Sequence, residues 1–134
     1  MAARFSNTFE SVVRYFKEHG VTLTLRLNNK LYDRRKFLDA GIDHMELYFP
    51  DGSCPSDQIL QKFLDIADNQ PGVIAVHCKA GLGRTGTLIG AWFMKEYKFT
   101  AAEVIAFLRV LRPGSVVGPQ QNYMQTCVSQ SCFT

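Results

Sequence analysis

The sequence predicts an α/β fold with a small, largely parallel central sheet and helices on both faces. Two strand patterns carry this prediction. Apolar side chains alternate with polar ones over residues 21–27, which is typical of a strand with one polar face. Residues 73–77 are almost entirely apolar, as in a strand buried on both faces. Helical segments alternate with these strands, and this order favours a parallel sheet with packed helices.

The first half of the chain alternates between helical and extended patterns. Apolar side chains recur at helical spacing between Phe9 and Phe16, which predicts an amphipathic helix. Glycines and prolines mark the boundaries that follow. The expected elements are this helix as far as Gly20, the strand at 21–27, a short helix at 32–40, a second strand at 42–49 and a loop at 50–55.

The second half is helical around one strand. Ser56 is a suitable N-cap, Thr100 begins a capping box, and Pro119 suits a first helical position. An apolar stretch after the next loop is typical of an interior helix. The expected elements are a helix from 56 to 70, the strand at 73–77, the interior helix at 85–97, a helix from 100 to 112 and a last helix from 119 to 124.

Composition places the chain among ordinary globular proteins. Of the 134 residues 46% are hydrophobic and 20% are charged, so we expect one domain over residues 1–134. The net charge is only +3, which predicts no nucleic-acid partner. Residues 1–6 lack the apolar run of a signal peptide, and no segment approaches the ~20 apolar residues of a membrane helix. We therefore expect a soluble, monomeric, intracellular protein, cytoplasmic or nuclear.

Four cysteines, Cys54, Cys78, Cys127 and Cys132, bear on the compartment. Their spacings fit neither a zinc site nor a small disulfide scaffold. A reducing compartment is the simpler interpretation. Packing or surface exposure accounts for all of them except Cys78.

The Cys78 loop, defined as residues 78–84, joins the strand at 73–77 to the interior helix. Backbone N–H groups of such a loop converge at the positive end of the helix and form an anion site. The same amides stabilise a thiolate, which makes Cys78 a candidate nucleophile. Arg84, six positions later, offers a planar fork for two phosphate oxygens. The residues expected to bind phosphate are Lys79, Ala80, Gly81, Leu82, Gly83 and Arg84.

Two residues beside this loop are expected to support it. The hydroxyl of Thr85 would lie near the sulfur, where it either stabilises Cys78 as a leaving thiolate or caps the helix. His77 is expected to orient the loop through hydrogen bonds, a role close to that of any satisfied core histidine.

The segment HCKAGLGRTG resembles the signature of cysteine-based protein tyrosine phosphatases: histidine, cysteine, five residues, arginine, then serine or threonine. The resemblance continues through DHMELYFPDGSCPSD and LRPGSVVGPQQ and covers residues 15–124. Within that superfamily the chain is most similar to the dual-specificity, cell-division-cycle-fourteen phosphatases, mitotic-exit enzymes that oppose cyclin-dependent kinases. The resemblance implies hydrolysis of phosphotyrosine and phosphoserine or phosphothreonine in proteins through a phosphocysteine, with no metal and no cofactor.

The resemblance also implies a general acid on a loop opposite the nucleophile. Asp51 in Asp-Gly-Ser-Cys-Pro matches the family's Asp-Gly-Ser-Thr-Pro segment, with Cys54 in place of threonine. Proline and glycine around Asp51 independently indicate a loop, and a solvated turn aspartate is the alternative. Asp43 within a strand and Asp57 at a helix start are weaker candidates.

Two glutamines complete the candidate site. Gln120 and Gln121 match the glutamines that position the hydrolytic water in related enzymes, and Gln120 is the better candidate of the two. Surface positions on a helix are the alternative interpretation for both.

Three other functions were weighed against this interpretation. Residues 81–86 also satisfy the dinucleotide fingerprint G-x-G-x-x-G, but no strand ending in an acidic residue follows. A phosphate-binding pseudophosphatase would ordinarily lack the cysteine, the arginine or the acid, and all three are present. A phosphoinositide phosphatase is suggested by Lys79, which also follows the nucleophile in the phosphatase and tensin homologue. That enzyme has a second lysine where this chain has Leu82, which disfavours a multiply phosphorylated headgroup.

One departure limits what the resemblance implies about substrates. The mitotic-exit enzymes look like two fused phosphatase-fold halves with substrate bound between them, and this sequence covers the catalytic half only. Their preference for phosphoserine followed by proline is therefore not transferred. We expect an open cleft that favours phosphotyrosine and other aryl phosphates, then phosphoserine, then phosphoinositides.

Overall fold

Helices and parallel strands alternate through residues 8–79 and 82–128, the ranges that the structure, a computed structural model, describes. The elements in chain order are α1 (Phe9–Glu18), β1 (Val21–Arg26), α2 (Arg35–Leu38), β2 (Asp43–Glu46), α3 (Asp57–Asn69), β3 (Val73–His77), α4 (Gly83–Tyr97), α5 (Ala101–Leu111) and α6 (Pro119–Tyr123), followed by a π-helical segment at Met124–Val128.

β1 is the central strand of the described sheet, whose strand order is β2-β1-β3. Both pairings are parallel, with Thr24 of β1 opposite His44 of β2 and Ala75 of β3. This confirms the predicted small parallel sheet. The carboxyl ends of parallel strands meet at one edge, so the segments that follow all three strands converge there.

The two faces of β1 pack into different layers. Leu23, Leu25 and Leu27 are buried in the main apolar core with residues of α3, α4 and α5. Thr24 and Arg26 alternate with them and are fully buried too. The polar face predicted for this strand therefore exists, but it is covered by a layer that includes α1 and α2. Helices flank both faces of the sheet, as predicted.

Several element boundaries differ from the sequence predictions. β2 is shorter than the predicted range 42–49. Extended backbone nevertheless continues past it, since the N–H groups of Leu47 and Phe49 donate hydrogen bonds to the carbonyls of β1 and Leu27. α2 is shorter than residues 32–40. The prediction that residues 73–77 are buried on both faces is wrong, since every residue of β3 is at least partly exposed and Val73 is half-exposed. An apolar run does not show how completely other segments cover each face.

The helix caps follow the sequence signals. The Ser56 hydroxyl accepts a hydrogen bond from the backbone N–H of Ile59 at 3.2 Å, and Thr100 and Glu103 form the predicted capping box. α4 carries many buried side chains and is the interior helix. Within the described ranges, no helix has both the length and the apolar character needed to cross a membrane.

Candidate active site

Cys78 directly follows β3 at the carboxyl edge of the sheet and is 8% exposed. The hydroxyl of Thr85, in the first turn of α4, donates a hydrogen bond to Cys78 Sγ at 3.2 Å. Leu82 is the N-cap residue of α4, so Thr85 lies inside the helix. This hydrogen bond favours stabilisation of a Cys78 thiolate over helix capping as the role of Thr85.

Arg84 is 4% exposed and is anchored by carbonyl groups that follow two strands. Its Nη1 donates to the carbonyl oxygen of Phe49 at 3.1 Å and to that of Leu27 at 3.5 Å. Its Nε is buried and makes no hydrogen bond within the described residues. A phosphate oxygen could therefore bind at Nε while the carbonyl anchors stay in place.

The Asp51 loop, defined as residues 50–55, lies across the cleft from this arginine. Asp51 Oδ1 is 3.7 Å from Arg84 Nε, and the Asp51 side chain is 83% exposed. Ser53 donates to the carbonyl of Pro50 from both its backbone N–H and its hydroxyl, which makes a tight turn. The cleft has a volume of about 260 Å³ and is lined by Asn28, Asn29, Leu31, Tyr48, Asp51, Lys79 and Arg84.

The residues predicted to bind phosphate are described only in part. Lys79 is exposed and lines the cleft, and Leu82 and Gly83 lead into α4. Ala80 and Gly81 lie outside the described residues. Residues 82–84 of the loop form the N-terminal end of a 15-residue helix, where backbone N–H groups favour an anion. No group of three His, Cys, Asp or Glu side chains within the described ranges is arranged to hold a metal ion.

A polar cluster beneath the Cys78 loop was not found by sequence reasoning. The hydroxyl of Tyr32 lies 2.8 Å from His77 Nε2 and 2.8 Å from His44 Nε2. Arg26 lies against the Tyr32 ring and donates to the Tyr32 carbonyl. The signal that could have found this cluster is the polar face predicted for β1, together with histidines in both neighbouring strands.

Burial decides the charge state of this cluster. It lowers the pKa of His77, and burial followed by the nearby Arg26 and Arg34 lowers the pKa of His44 to about 4. Burial also raises the pKa of Tyr32 to about 12. Both rings are thus neutral near neutral pH, and the Tyr32 hydroxyl donates to one imidazole and accepts from the other. The His77 ring is thus held by a hydrogen bond to Tyr32, and its role in orienting the Cys78 loop stays a prediction.

The two glutamines have different surroundings. Gln120 is fully buried, its Oε1 accepts from the Val117 N–H at 3.1 Å, and its Nε2 donates to the Ser53 carbonyl at 3.0 Å. Gln121 Oε1 instead accepts from Arg109 Nη2 at 3.1 Å. Gln120 is therefore the one that touches the Asp51 loop. A role of either residue in positioning water stays a prediction.

This combination of a buried cysteine, a threonine on its sulfur and an anchored arginine at the start of a helix is typical of cysteine-dependent phosphatases. A family model described as "Polymorphic toxin system, DSP-PTPase phosphatase" matches residues 2–98. The chain belongs to this dual-specificity branch of the protein tyrosine phosphatases.

Curated relatives point to one group within that branch. The chain is 61% identical to dual specificity protein phosphatase CDC14B of Mus musculus over 115 residues, which are 86% of this chain and 24% of that protein. It is 60% identical to tyrosine-protein phosphatase cdc-14 of Caenorhabditis elegans over 110 residues, 82% of this chain and 16% of that protein. The chain thus spans a quarter or less of the length of these relatives, and the predicted resemblance to the CDC14 phosphatases is confirmed.

A solved structure supports the fold. The crystal structure of Tk-PTP in the active form superposes with a TM-score of 0.81, covers 91% of this chain and 86% of that one, and is 23% identical in sequence. At this identity the likeness shows the fold alone, which is that of protein tyrosine phosphatases.

Proposed function

We propose that residues 1–134 form one catalytic domain of a metal-independent protein phosphatase. It hydrolyses phosphotyrosine and phosphoserine or phosphothreonine monoesters through a phosphocysteine intermediate. The single observation that carries this proposal is the 3.2 Å hydrogen bond from Thr85 to Cys78 Sγ in a loop that also holds the anchored Arg84. Similarity to proteins named dual specificity and tyrosine-protein phosphatases supports it.

In the first step the Cys78 thiolate attacks phosphorus in line with the leaving oxygen. A sulfur–phosphorus bond forms, the ester oxygen–phosphorus bond breaks, and the leaving oxygen takes a proton from Asp51. Arg84 and the N-terminal amides of α4 hold the phosphoryl oxygens as charge develops on them. The exposed position of Asp51 at the cleft suits delivery of this proton to a bulky leaving group.

In the second step water attacks the phosphocysteine. The Asp51 carboxylate, ionised in the first step, accepts a proton from that water, and the sulfur–phosphorus bond breaks to release inorganic phosphate. Thr85 then donates its hydrogen bond to the returning Cys78 thiolate, which makes the sulfur a better leaving group.

The substrates of this domain are phosphorylated proteins, with aryl phosphates cleaved best. Leu31 is 71% exposed and Tyr48 is 49% exposed, so the cleft has apolar walls that suit an aromatic ring. Lys79 supplies one positive charge there and Leu82 supplies none, which places phosphoinositides last. We further propose that the domain acts as a monomer in a reducing, intracellular compartment, since Cys78 must remain a thiol.

Replacement of the nucleophile tests the function. Cys78→Ser should abolish turnover of phosphotyrosine peptide and of p-nitrophenyl phosphate, while binding of a phosphate mimic such as tungstate stays nearly unchanged. Undiminished activity of this variant, or a requirement of the unaltered chain for added divalent metal, would refute the mechanism. Binding without turnover by the unaltered chain would instead indicate a pseudophosphatase.

A substrate panel separates the remaining alternative. One preparation should be assayed on phosphotyrosine peptides, phosphoserine-proline peptides and phosphoinositides. We expect kcat/KM to be highest for the phosphotyrosine peptides, lower for the phosphoserine-proline peptides and lowest for the phosphoinositides. Lipid turnover above both peptides would favour the phosphoinositide phosphatase, and a clear preference for phosphoserine-proline peptides would contradict the open-cleft argument.

A further inference from the structure

The buried side chain of Gln120 touches three segments that border the cleft. Its Nε2 donates to the Ser53 carbonyl of the Asp51 loop, and its Oε1 accepts from the backbone N–H of Val117. The same amide packs against Gly83 at the start of α4, because a Cβ built on that glycine would lie 2.9 Å from Gln120 Oε1. One side chain therefore spans the acid-bearing loop, the loop before α6 and the end of the Cys78 loop.

The Asp51 loop depends on such contacts because burial does not position its carboxylate. The Asp51 side chain is 83% exposed, and an ion pair at 3.7 Å on an exposed carboxylate is weak. The hydrogen bonds from Ser53 to Pro50 are internal to the loop and leave its distance from Cys78 unspecified. Two hydrogen bonds join the loop to the segment around α6: the bond from Gln120 to Ser53, two residues after the acid, and a bond from Cys54 Sγ to the Pro119 carbonyl at 3.4 Å, in which sulfur is a weak donor.

The burial of Gln120 argues against its direct contact with the hydrolytic water. The residue is fully buried, and each end of its amide bonds to a backbone group. Val116, beside the bonded Val117, has φ of 60°, a left-handed conformation that is rare for a β-branched residue. In this arrangement Gln120 supports neighbouring backbone and is closed to solvent water.

We propose that Gln120 is a positioning residue that sets the separation between Asp51 and Cys78, and through it the protonation of the leaving group in the first step. This inference rests on the proposed phosphatase function. It differs from the water-positioning role suggested by the sequence, which concerns the second step.

Leaving-group dependence tests the proposal in kinetics. Gln120→Met keeps the length and removes both hydrogen bonds, and a misplacement of about 1 Å can cost about 10²-fold in rate. The variant should lose about 10–100-fold in kcat/KM on aryl phosphates with poor leaving groups and only a few-fold on good ones, the pattern of a displaced acid. Asn122→Met removes an exposed amide from the same helix and serves as the matched control.

A double-mutant cycle identifies the partner. Once Asp51→Ala has removed the acid, adding Gln120→Met should cost less than about threefold on a poor leaving group, because the two residues act through one step. Fully additive losses would overturn the proposal. So would a Gln120→Met enzyme that accumulates more phosphocysteine than Asp51→Ala does in rapid-mixing experiments, because such an excess means that Gln120 acts on the second step independently of Asp51.

Two further measurements keep the test independent of turnover and of folding. Hydrogen exchange at the amides of residues 52–54 should increase in Gln120→Met while β1 stays protected, and this can be measured in the Cys78→Ser background. Unchanged amide exchange would contradict the positioning role of Gln120 even if the domain is a phosphatase. An inactive parent enzyme would instead contradict only the proposed phosphatase function.

If Gln120→Met fails to fold, Gln120→Glu replaces it as the test variant. Its protonated carboxyl can donate a hydrogen bond to the Ser53 carbonyl, so its activity relative to the parent should recover at lower pH. If activity does not recover at lower pH, the positioning role of Gln120 is contradicted.

Discussion

The Cys78 loop and the Asp51 loop face the same cleft but are built in opposite ways. Cys78, Arg84 and Thr85 are each less than 10% exposed and are fixed between a strand and a long helix. The Asp51 side chain is 83% exposed and sits on a turn. The proposed nucleophile and phosphate clamp are thus preorganised by the core, whereas the proposed acid lies on an exposed turn that a few hydrogen bonds join to the rest of the site, among them the one from buried Gln120.

This difference divides the chemistry into two parts with different sensitivities. Changes in the Cys78 loop should damage phosphate binding and attack for every substrate, because the same atoms meet every phosphoryl group. Changes in the Asp51 loop should matter in proportion to how much help the leaving group needs.

Arg84→Lys should produce the largest loss among the tests of this comparison. Lysine keeps one charge but cannot reproduce the planar fork, and it also loses the Nη1 bonds to the carbonyls of Phe49 and Leu27. We expect kcat/KM to fall by about 10³–10⁵, the contribution of an arginine that stabilises phosphoryl transfer, and equally for good and poor leaving groups.

Arg109→Lys is the matched control for that variant. Arg109 also donates to backbone carbonyls, those of Ser115 and Val116, but it does not line the cleft. Its replacement should affect melting temperature more than kcat/KM. Near-normal kcat/KM for Arg84→Lys would show that Arg84 is structural only, and the contrast between the two loops would fail.

Asp51→Ala should have a smaller and substrate-dependent effect. Loss of a general acid costs about 10²–10⁴, so hydrolysis of phenyl and alkyl phosphates should fall by that factor and hydrolysis of p-nitrophenyl phosphate by much less. Rates across a series of leaving groups measure this. Asp57→Ala, in the first turn of α3, is the control. A larger loss in the control, or equal losses for all leaving groups, would show that the acid lies elsewhere.

The smallest expected effect is a pH dependence of the free energy of unfolding, which arises from the buried histidines beneath the Cys78 loop. The pKa of His44 is about 4 in the folded protein, below its usual value of 6.5, and the pKa of His77 is also lowered. Between pH 6.5 and about 4 the unfolded chain binds more protons than the folded protein, so the free energy of unfolding falls as the pH drops through this range. Urea denaturation at several pH values measures this slope. His44→Gln should flatten it, and an unchanged slope would mean that His44 is not the group that titrates.

Sequence reasoning brought candidate site residues together where they are adjacent in the chain. Cys78, Arg84 and Thr85 lie within eight residues of one strand, loop and helix, so local patterns define their relative positions. Asp51 could be added because a turn signal and a family resemblance agree on it. The capping residues were predictable for the same reason, since each cap involves neighbours along the chain.

Features that depend on packing between distant segments were not predictable. The cluster of Tyr32, His44 and His77 joins three separate segments, and the bond from Gln120 to Ser53 crosses 67 residues. Periodicity indicated the polar face of β1 beside the cluster, but it does not show which side chains of distant segments form a pair. The same limit explains the error over β3, because the local pattern of an apolar strand does not show how completely distant segments cover its two faces.

The buried guanidinium of Arg26 disfavours misaligned pairing of β1 with its neighbouring strands during folding. A shift of β1 by one residue relative to its neighbours would exchange its two faces and move this charge among the leucines of the main core. Burial of an unpaired charge in apolar surroundings is costly, so misaligned sheets would be strongly disfavoured. Strand alignment in turn sets where β3 ends and Cys78 begins, so one charged side chain influences whether the proposed active-site loop forms in the correct place.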